Sequence, residues 1–167
     1  MAHAIRSVGV TTELGAQPGS ATMQVAERVT RTLSSNAPLS LHKPVVLIVD
    51  DDEALRESLV RMLDECDLAA VGATNSINAL EVLQHSHVDI VVSDQHIWGM
   101  DGVSLLSVVR RRWPLVQRVL FTADVSSDIM LDAINRAGVH KVLLKTMHAV
   151  QIRDEIEGVA LDVLRRR

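Results

Sequence analysis

From residue 44 onward, short runs of aliphatic and β-branched side chains alternate with longer stretches in which apolar positions recur every three or four residues. Val45–Val49 is apolar throughout, as in a strand covered on both faces within a parallel sheet. Residues 53–65 then place Leu55, Leu59, Met62 and Leu63 on one helical face. The alternation repeats. A weaker strand over 68–73 precedes a helix over 76–84 built on Ile77, Leu80 and Leu83, and 88–92 is a second buried strand. Residues 102–112 predict a helix with Val103, Leu106 and Val109 inward, closed at Trp113-Pro114 because a residue before proline disfavours helix. A strand over 118–121, a helix over 126–137 ending at Gly138, a strand over 141–144 and a helix over 150–164 complete the pattern.

Five strands alternating with five helices predict a doubly wound α/β sheet with right-handed crossovers, whose ligand site lies at the carboxyl ends of the strands. Residues 1–43 read differently: Ala, Ser, Thr and Gly are frequent and Pro18 and Pro38 interrupt them, so a disordered or partly helical extension is expected. Within it, 21–33 spaces Val25, Val29 and Leu33 for a short amphipathic helix that is marginal unless it docks.

Composition narrows the function. Of 167 residues only Trp98, Trp113 and Phe121 are aromatic, which argues against a base-stacking platform and makes the core aliphatic. Seventeen basic against 21 acidic residues give a net charge of −4, so no direct nucleic-acid or membrane binding is expected. The single Cys66 excludes an internal disulfide, and no apolar block suits a signal peptide or membrane span, so a cytoplasmic protein is expected.

The strand ends carry the candidate chemistry. Asp50, Asp51 and Asp52 follow the first strand, Ser93-Asp94 the third, Thr122-Ala123 the fourth and Lys145 the fifth. Clustered carboxylates call for a hard cation with oxygen ligands, and Mg²⁺ suits one or two carboxylates, waters and a phosphate. With a movable cation at Lys145 and a hydroxyl donor at Thr122, the set points to phosphoryl transfer. Asp52 reads as the cap of the first helix, the seven histidines as surface residues, and Arg110 to Arg112 as a solvated helix end.

These residues resemble the receiver domain of two-component response regulators. The resemblance rests on Leu47-Ile48-Val49-Asp50-Asp51 with Arg56 following, on Asp94 seven residues before Asp101-Gly102, on Thr122-Ala123 and on Lys145, and it covers about residues 44–165. It implies a flavodoxin-like sheet in the order 2-1-3-4-5 and a receiver domain over 44–167. It further implies Asp94 as the phosphoacceptor, with Mg²⁺ held by Asp51, Asp94 and the backbone carbonyl of His96, and by Asp50 largely through water. Lys145 and Thr122 would serve the phosphoryl group. The expected donor is a histidine kinase or a histidine phosphotransfer protein, and the domain catalyses only its own phosphorylation and dephosphorylation. Because Arg167 follows the last expected helix directly, the expectation is a stand-alone receiver acting on an unidentified downstream protein.

Three positions depart from the family pattern. Trp98 and Thr146 stand where the family has proline, and Val142 where it has an aromatic switch residue. A cis bond before threonine costs about 3–4 kcal/mol, so the Lys145–Thr146 bond is expected to be trans. His96 and Asp124 occupy positions that tune phosphate lifetime in the family. The departures keep a second expectation open, a pseudo-receiver that binds a partner without a phosphorylation switch. A phosphatase for a diffusible substrate is disfavoured, since His96 stands where a second acid is needed.

Overall fold

The computed structural model describes residues 43–167; the extension, and with it the helix expected over 21–33, lies outside the described residues. The elements follow in the order β1 (Val45–Val49), α1 (Glu53–Asp64), β2 (Ala69–Ala73), α2 (Ser76–His85), β3 (Ile90–Asp94), α3 (Gly102–Arg112), β4 (Gln117–Thr122), α4 (Ser127–Asp132), β5 (Lys141–Leu144) and α5 (Ala149–Arg165). All strands are parallel, in the order β2-β1-β3-β4-β5. The doubly wound α/β expectation holds in strand order and helix number.

Period-two alternation divides the core into two layers. Leu47, Val91 and Leu120 face α2, α3 and the end of the fourth helix, where Ala79, Val103, Leu106 and Ala137 are buried. Ile48, Val92, Phe121 and Leu143 face α1 and α5, against Leu59, Leu63, Ile152 and Ile156. Caps are written in the sequence: Asp52, Asn75 and Asp101 each accept a backbone N–H of the first turn of α1, α2 and α3.

Two differences from the periodic reading have physical causes. Residues 88–92 were expected as the third strand, whereas β3 runs Ile90–Asp94. Ser93 and Asp94 pair with Leu120 and Phe121 of β4, so polar side chains continue the ladder to the site. At the other end, the Asp89 carboxylate accepts the Val45 N–H at 2.8 Å and keeps Asp89 outside the strand. The helix expected over 126–137 widens after Asp132 into a π-helical turn, Ala133–Ala137, ended by Gly138 at φ 55°. Widening leaves carbonyls that arginines from other elements satisfy. Arg110 donates to Asn135 and Arg136, and the buried Arg118 to Ala137 and Gly138. Burial lowers the Arg118 pKa, with nearby Arg110 adding to the effect. Arg110 is therefore a structural donor and not simply a solvated helix end.

Candidate functional site

The sheet delivers its site residues to one rim because all five strands point the same way. Asp50 leaves β1 held at both ends of its peptide unit: its N–H donates to Ala73 O at 3.2 Å and its carbonyl accepts Arg56 Nη1 at 2.8 Å. Its side chain is 1% exposed, with Oδ1 accepting the Asp52 N–H at 2.9 Å. Asp94 ends β3, and its Oδ1 accepts the Gln95 N–H at 2.7 Å. Lys145 follows β5 with its N–H bonded to Thr122 O at 3.0 Å, which sets it beside the end of β4. From there its ammonium reaches Asp50 Oδ2 at 2.8 Å and Asp94 Oδ2 at 3.0 Å, over the Phe121 ring.

One ammonium thus faces two buried carboxylates. Burial pushes the Asp50 carboxyl up from its ordinary 3.8, against the opposing pull of Lys145 and the Asp52 N–H. Burial acts to lower Lys145, yet bonds to Asp50 and Asp94 outweigh it and raise the amine above 10.5. Oxygen atoms of Asp50, Asp51 and Asp94 all lie within 4.8 Å of one another. Asp50 Oδ2 is buried and, beyond the charge of Lys145, has no well-directed hydrogen-bond donor. A buried oxygen lacking a donor, among convergent carboxylates, suits a hard divalent cation.

A raised folded pKa means that the folded chain binds the Asp50 proton more tightly than the unfolded chain does. Ionising Asp50 therefore costs stability as pH rises through the folded value. An Asp50→Asn variant, which keeps an oxygen for the Asp52 N–H, is expected to melt about 4 °C higher at pH 7.5 without divalent cations, roughly 1 kcal/mol. It is also expected to lose most of the stabilisation that Mg²⁺ gives the wild type. Equal melting temperatures across pH 4–8 in wild type and variant, read by thermal denaturation, would count against this view of the pocket.

Thr122, fully buried, accepts the Asp124 N–H on its hydroxyl at 3.0 Å. Asp124 turns back to accept the Ser126 N–H at 2.8 Å, a bond that lowers its pKa, and its Oδ2 lies 3.7 Å from His96 Nε2. The His96 ring is exposed and stands across the mouth of the site from Asp124. Asp50, Asp51, Asp94 and Lys145 are thus brought together, with Thr122 at the end of β4 and His96 on the loop after β3.

The departing positions are also placed. The Lys145–Thr146 bond is trans, and Met147 closes the following turn, its N–H donating to Leu144 O and its sulfur accepting the Leu144 N–H. The backbone around Trp98 is locked: the Ser76 hydroxyl donates to Trp98 O and accepts the Met100 N–H, while Gly99 takes φ 100°. Val142 is half-buried against the α2–α3 side of the core. Of two further residues of the site, Gln95 carried no sequence signal and Gly102 carried one only through the family resemblance. Gln95 Oε1 accepts the Val103 N–H, joining the end of β3 to the start of α3. Gly102 lies so close to the Asp94 carbonyl that a Cβ there would meet it at 2.1 Å.

The family model described as the response regulator receiver domain matches residues 46–157. The chain belongs to the response regulator receiver family. The receiver is 36% identical over 121 residues to the response regulator protein FleR of Pseudomonas aeruginosa, a match covering 71% of this chain and 25% of FleR. It is 30% identical over 107 residues to the hydrogenase transcriptional regulatory protein HoxA of Cupriavidus necator, covering 64% of this chain and 22% of HoxA. The receiver therefore spans about a quarter or less of these relatives. Among solved structures, the signal receiver domain of an HD domain-containing protein from Pseudomonas fluorescens Pf-5 superposes with a TM-score of 0.70 at 26% identity, over 75% of this chain and 99% of that one. A CheY-like receiver from Methanospirillum hungatei JF-1 superposes equally well, TM-score 0.70 at 19% identity, over 74% of this chain and 98% of that one, which supports the fold. No helix among the described residues is long and apolar enough to cross a membrane.

Proposed function

We propose that this receiver accepts a phosphoryl group on Asp94 from a histidine kinase or histidine phosphotransfer protein and signals through contacts with a downstream protein. The observation that carries the reading is the Lys145 ammonium held between Asp50 and Asp94 beside Asp51, at the carboxyl rim of a parallel sheet. Asp94 Oδ2 attacks phosphorus, an O–P bond forms as the donor's N–P bond breaks, and the departing imidazole keeps the nitrogen electron pair. Asp50, Asp51, Asp94 and the His96 carbonyl would hold Mg²⁺, which supplies charge neutralisation for the phosphoryl oxygens. Lys145 then exchanges its Asp94 contact for a phosphoryl oxygen, and Thr122 gives up the Asp124 N–H to donate its hydroxyl. The His96–Asp124 pair controls which water reaches the acyl phosphate. The surface of α4, β5 and α5, with Leu131, Ile134 and Val150 exposed, is the proposed output face.

Incubation with Mg²⁺ and acetyl phosphate, followed by intact mass measurement, is expected to add one phosphoryl group to the wild type and none to Asp94→Asn. Wild-type mass unchanged despite Mg²⁺ binding would overturn the proposal. That result would instead favour the second reading, a constitutive binder, which the half-buried Val142 supports because no ring is present there to report phosphorylation.

A further inference from the structure

At the edge of the sheet opposite the phosphoryl site, a cavity of about 620 Å³ opens between the ends of α2 and α5 and the turn from α3 to β4. Its volume falls in the range of ligand-sized pockets. Leu83, Val88, Val116 and Val163 contribute apolar lining, and Leu115 at its rim is 90% exposed. The wall is rigid. Asp89 accepts the Val45 N–H on Oδ2 and Arg167 Nη2 on Oδ1, with His87 Nε2 2.9 Å away, so the end of α5 is tied to the start of β1 and β3. Arg112 stacks over the Trp113 ring at 4.9 Å and fixes the other side.

The occupant follows from where the described chain begins. Asp89, which lines the cavity, is hydrogen-bonded to Val45 through both its carboxylate and its backbone N–H. The 42 residues before Lys43 therefore enter the domain at the cavity's edge. Nine residues, 34–42, separate Leu33 from Lys43 and can span up to roughly 30 Å, and Val45, two residues after Lys43, is already bonded to Asp89 of the lining. Closing so short a loop has a small entropic cost, and tethering gives an effective concentration on the order of millimolar. We infer that residues 21–33 seat Val25, Val29 and Leu33 in this cavity, so that the N-terminal extension is an intramolecular ligand of the receiver's lower edge. This surface is separate from the phosphoryl site and shares with the proposed output face only the C-terminal end of α5.

Hydrogen–deuterium exchange on the full chain tests the inference through reciprocal effects. Val29→Asp is expected to accelerate exchange of peptides spanning 113–116 about tenfold or more, and Leu115→Asp to do the same for 21–33. Leu115 is exposed, so its substitution leaves the domain folded, which circular dichroism checks. In a Cys66→Ser background, Val29→Cys and Leu115→Cys are expected to be joined within one chain by a short bismaleimide. Crosslinks only between chains would assign the cavity to a second copy and overturn the inference. Exchange at 113–116 unaffected by Val29→Asp would overturn it too.

Discussion

A Gly102→Ala variant is expected to lose about 3 kcal/mol of stability, a fall of roughly 12 °C in melting temperature, and to accept less phosphoryl at Asp94. Two effects compete. Alanine is favoured over glycine in a helix interior by about 1 kcal/mol, and even a part of that gain at Gly102, the first residue of α3, predicts stabilisation on its own. Against it, the added Cβ would sit 2.1 Å from the Asp94 carbonyl oxygen, 2.9 Å from its carbon and 3.0 Å from Gln95 Cα. All three are backbone atoms of the acceptor segment, so no side chain can swing aside. Nor can α3 withdraw freely, because Gly102 N–H donates to Gln95 O at 2.9 Å and Val103 N–H to Gln95 Oε1 at 3.1 Å. The steric term wins and its relief falls on Asp94. Gly158→Ala in α5, where a Cβ meets nothing within 4 Å, is the control and is expected to be neutral or slightly stabilising. If the two variants melt alike, the close approach of α3 to β3 is not what holds the acceptor in place.

The contrast between those two glycines shows what was legible in the sequence. The alternation of elements and the carboxyl-end rule follow from apolar runs and from polar residues that end them, so Asp50, Asp94, Thr122 and Lys145 could be read directly, whereas the strand order came from the family resemblance. Close backbone approach leaves no such trace: the resemblance marks Gly102 in the Asp101-Gly102 element, but that a Cβ there would meet the Asp94 carbonyl is visible only once α3 is docked on β3. The same holds for Arg118, whose acceptors at Ala137 and Gly138 lie about twenty residues downstream on a turn whose carbonyls this arginine and Arg110 satisfy. Periodicity reads which face of an element is buried. It carries nothing about a donor supplied from another element, and so a regular helix was expected where a π-helical turn stands.

Lys145→Met is expected to show the second large effect, and its pH dependence distinguishes a pocket cation from a solvated lysine. Removing the ammonium leaves Asp50 and Asp94, 1% and 7% exposed, without their shared partner. Breaking a buried pair from one side costs about 3–5 kcal/mol, and Lys145 is 21% exposed, so the lower end of that range applies. The loss is set by carboxylate charge. At about pH 4 the pocket can hold a proton, Asp50 most readily because burial already raises its pKa, and wild type and variant should melt close together. As pH rises through the folded carboxyl value the gap opens to its full size. The Lys145 amine, held above 10.5 in the folded chain, contributes stability that is complete below 10.5 and lost as pH climbs through the folded value, so the gap narrows again in strong base. Adding Asp50→Asn to Lys145→Met leaves one carboxylate in place of two and is expected to recover about half of the lost stability, of which roughly 1 kcal/mol is what Asp50→Asn gives the wild type and about 0.5 kcal/mol is coupling. Thermal melts of the four proteins between pH 4 and 11, with divalent cations chelated, measure every term. A Lys145→Met deficit that stays constant over that range, or that Asp50→Asn fails to relieve, would mean that the lysine acts through its aliphatic stem on Phe121 and not through charge.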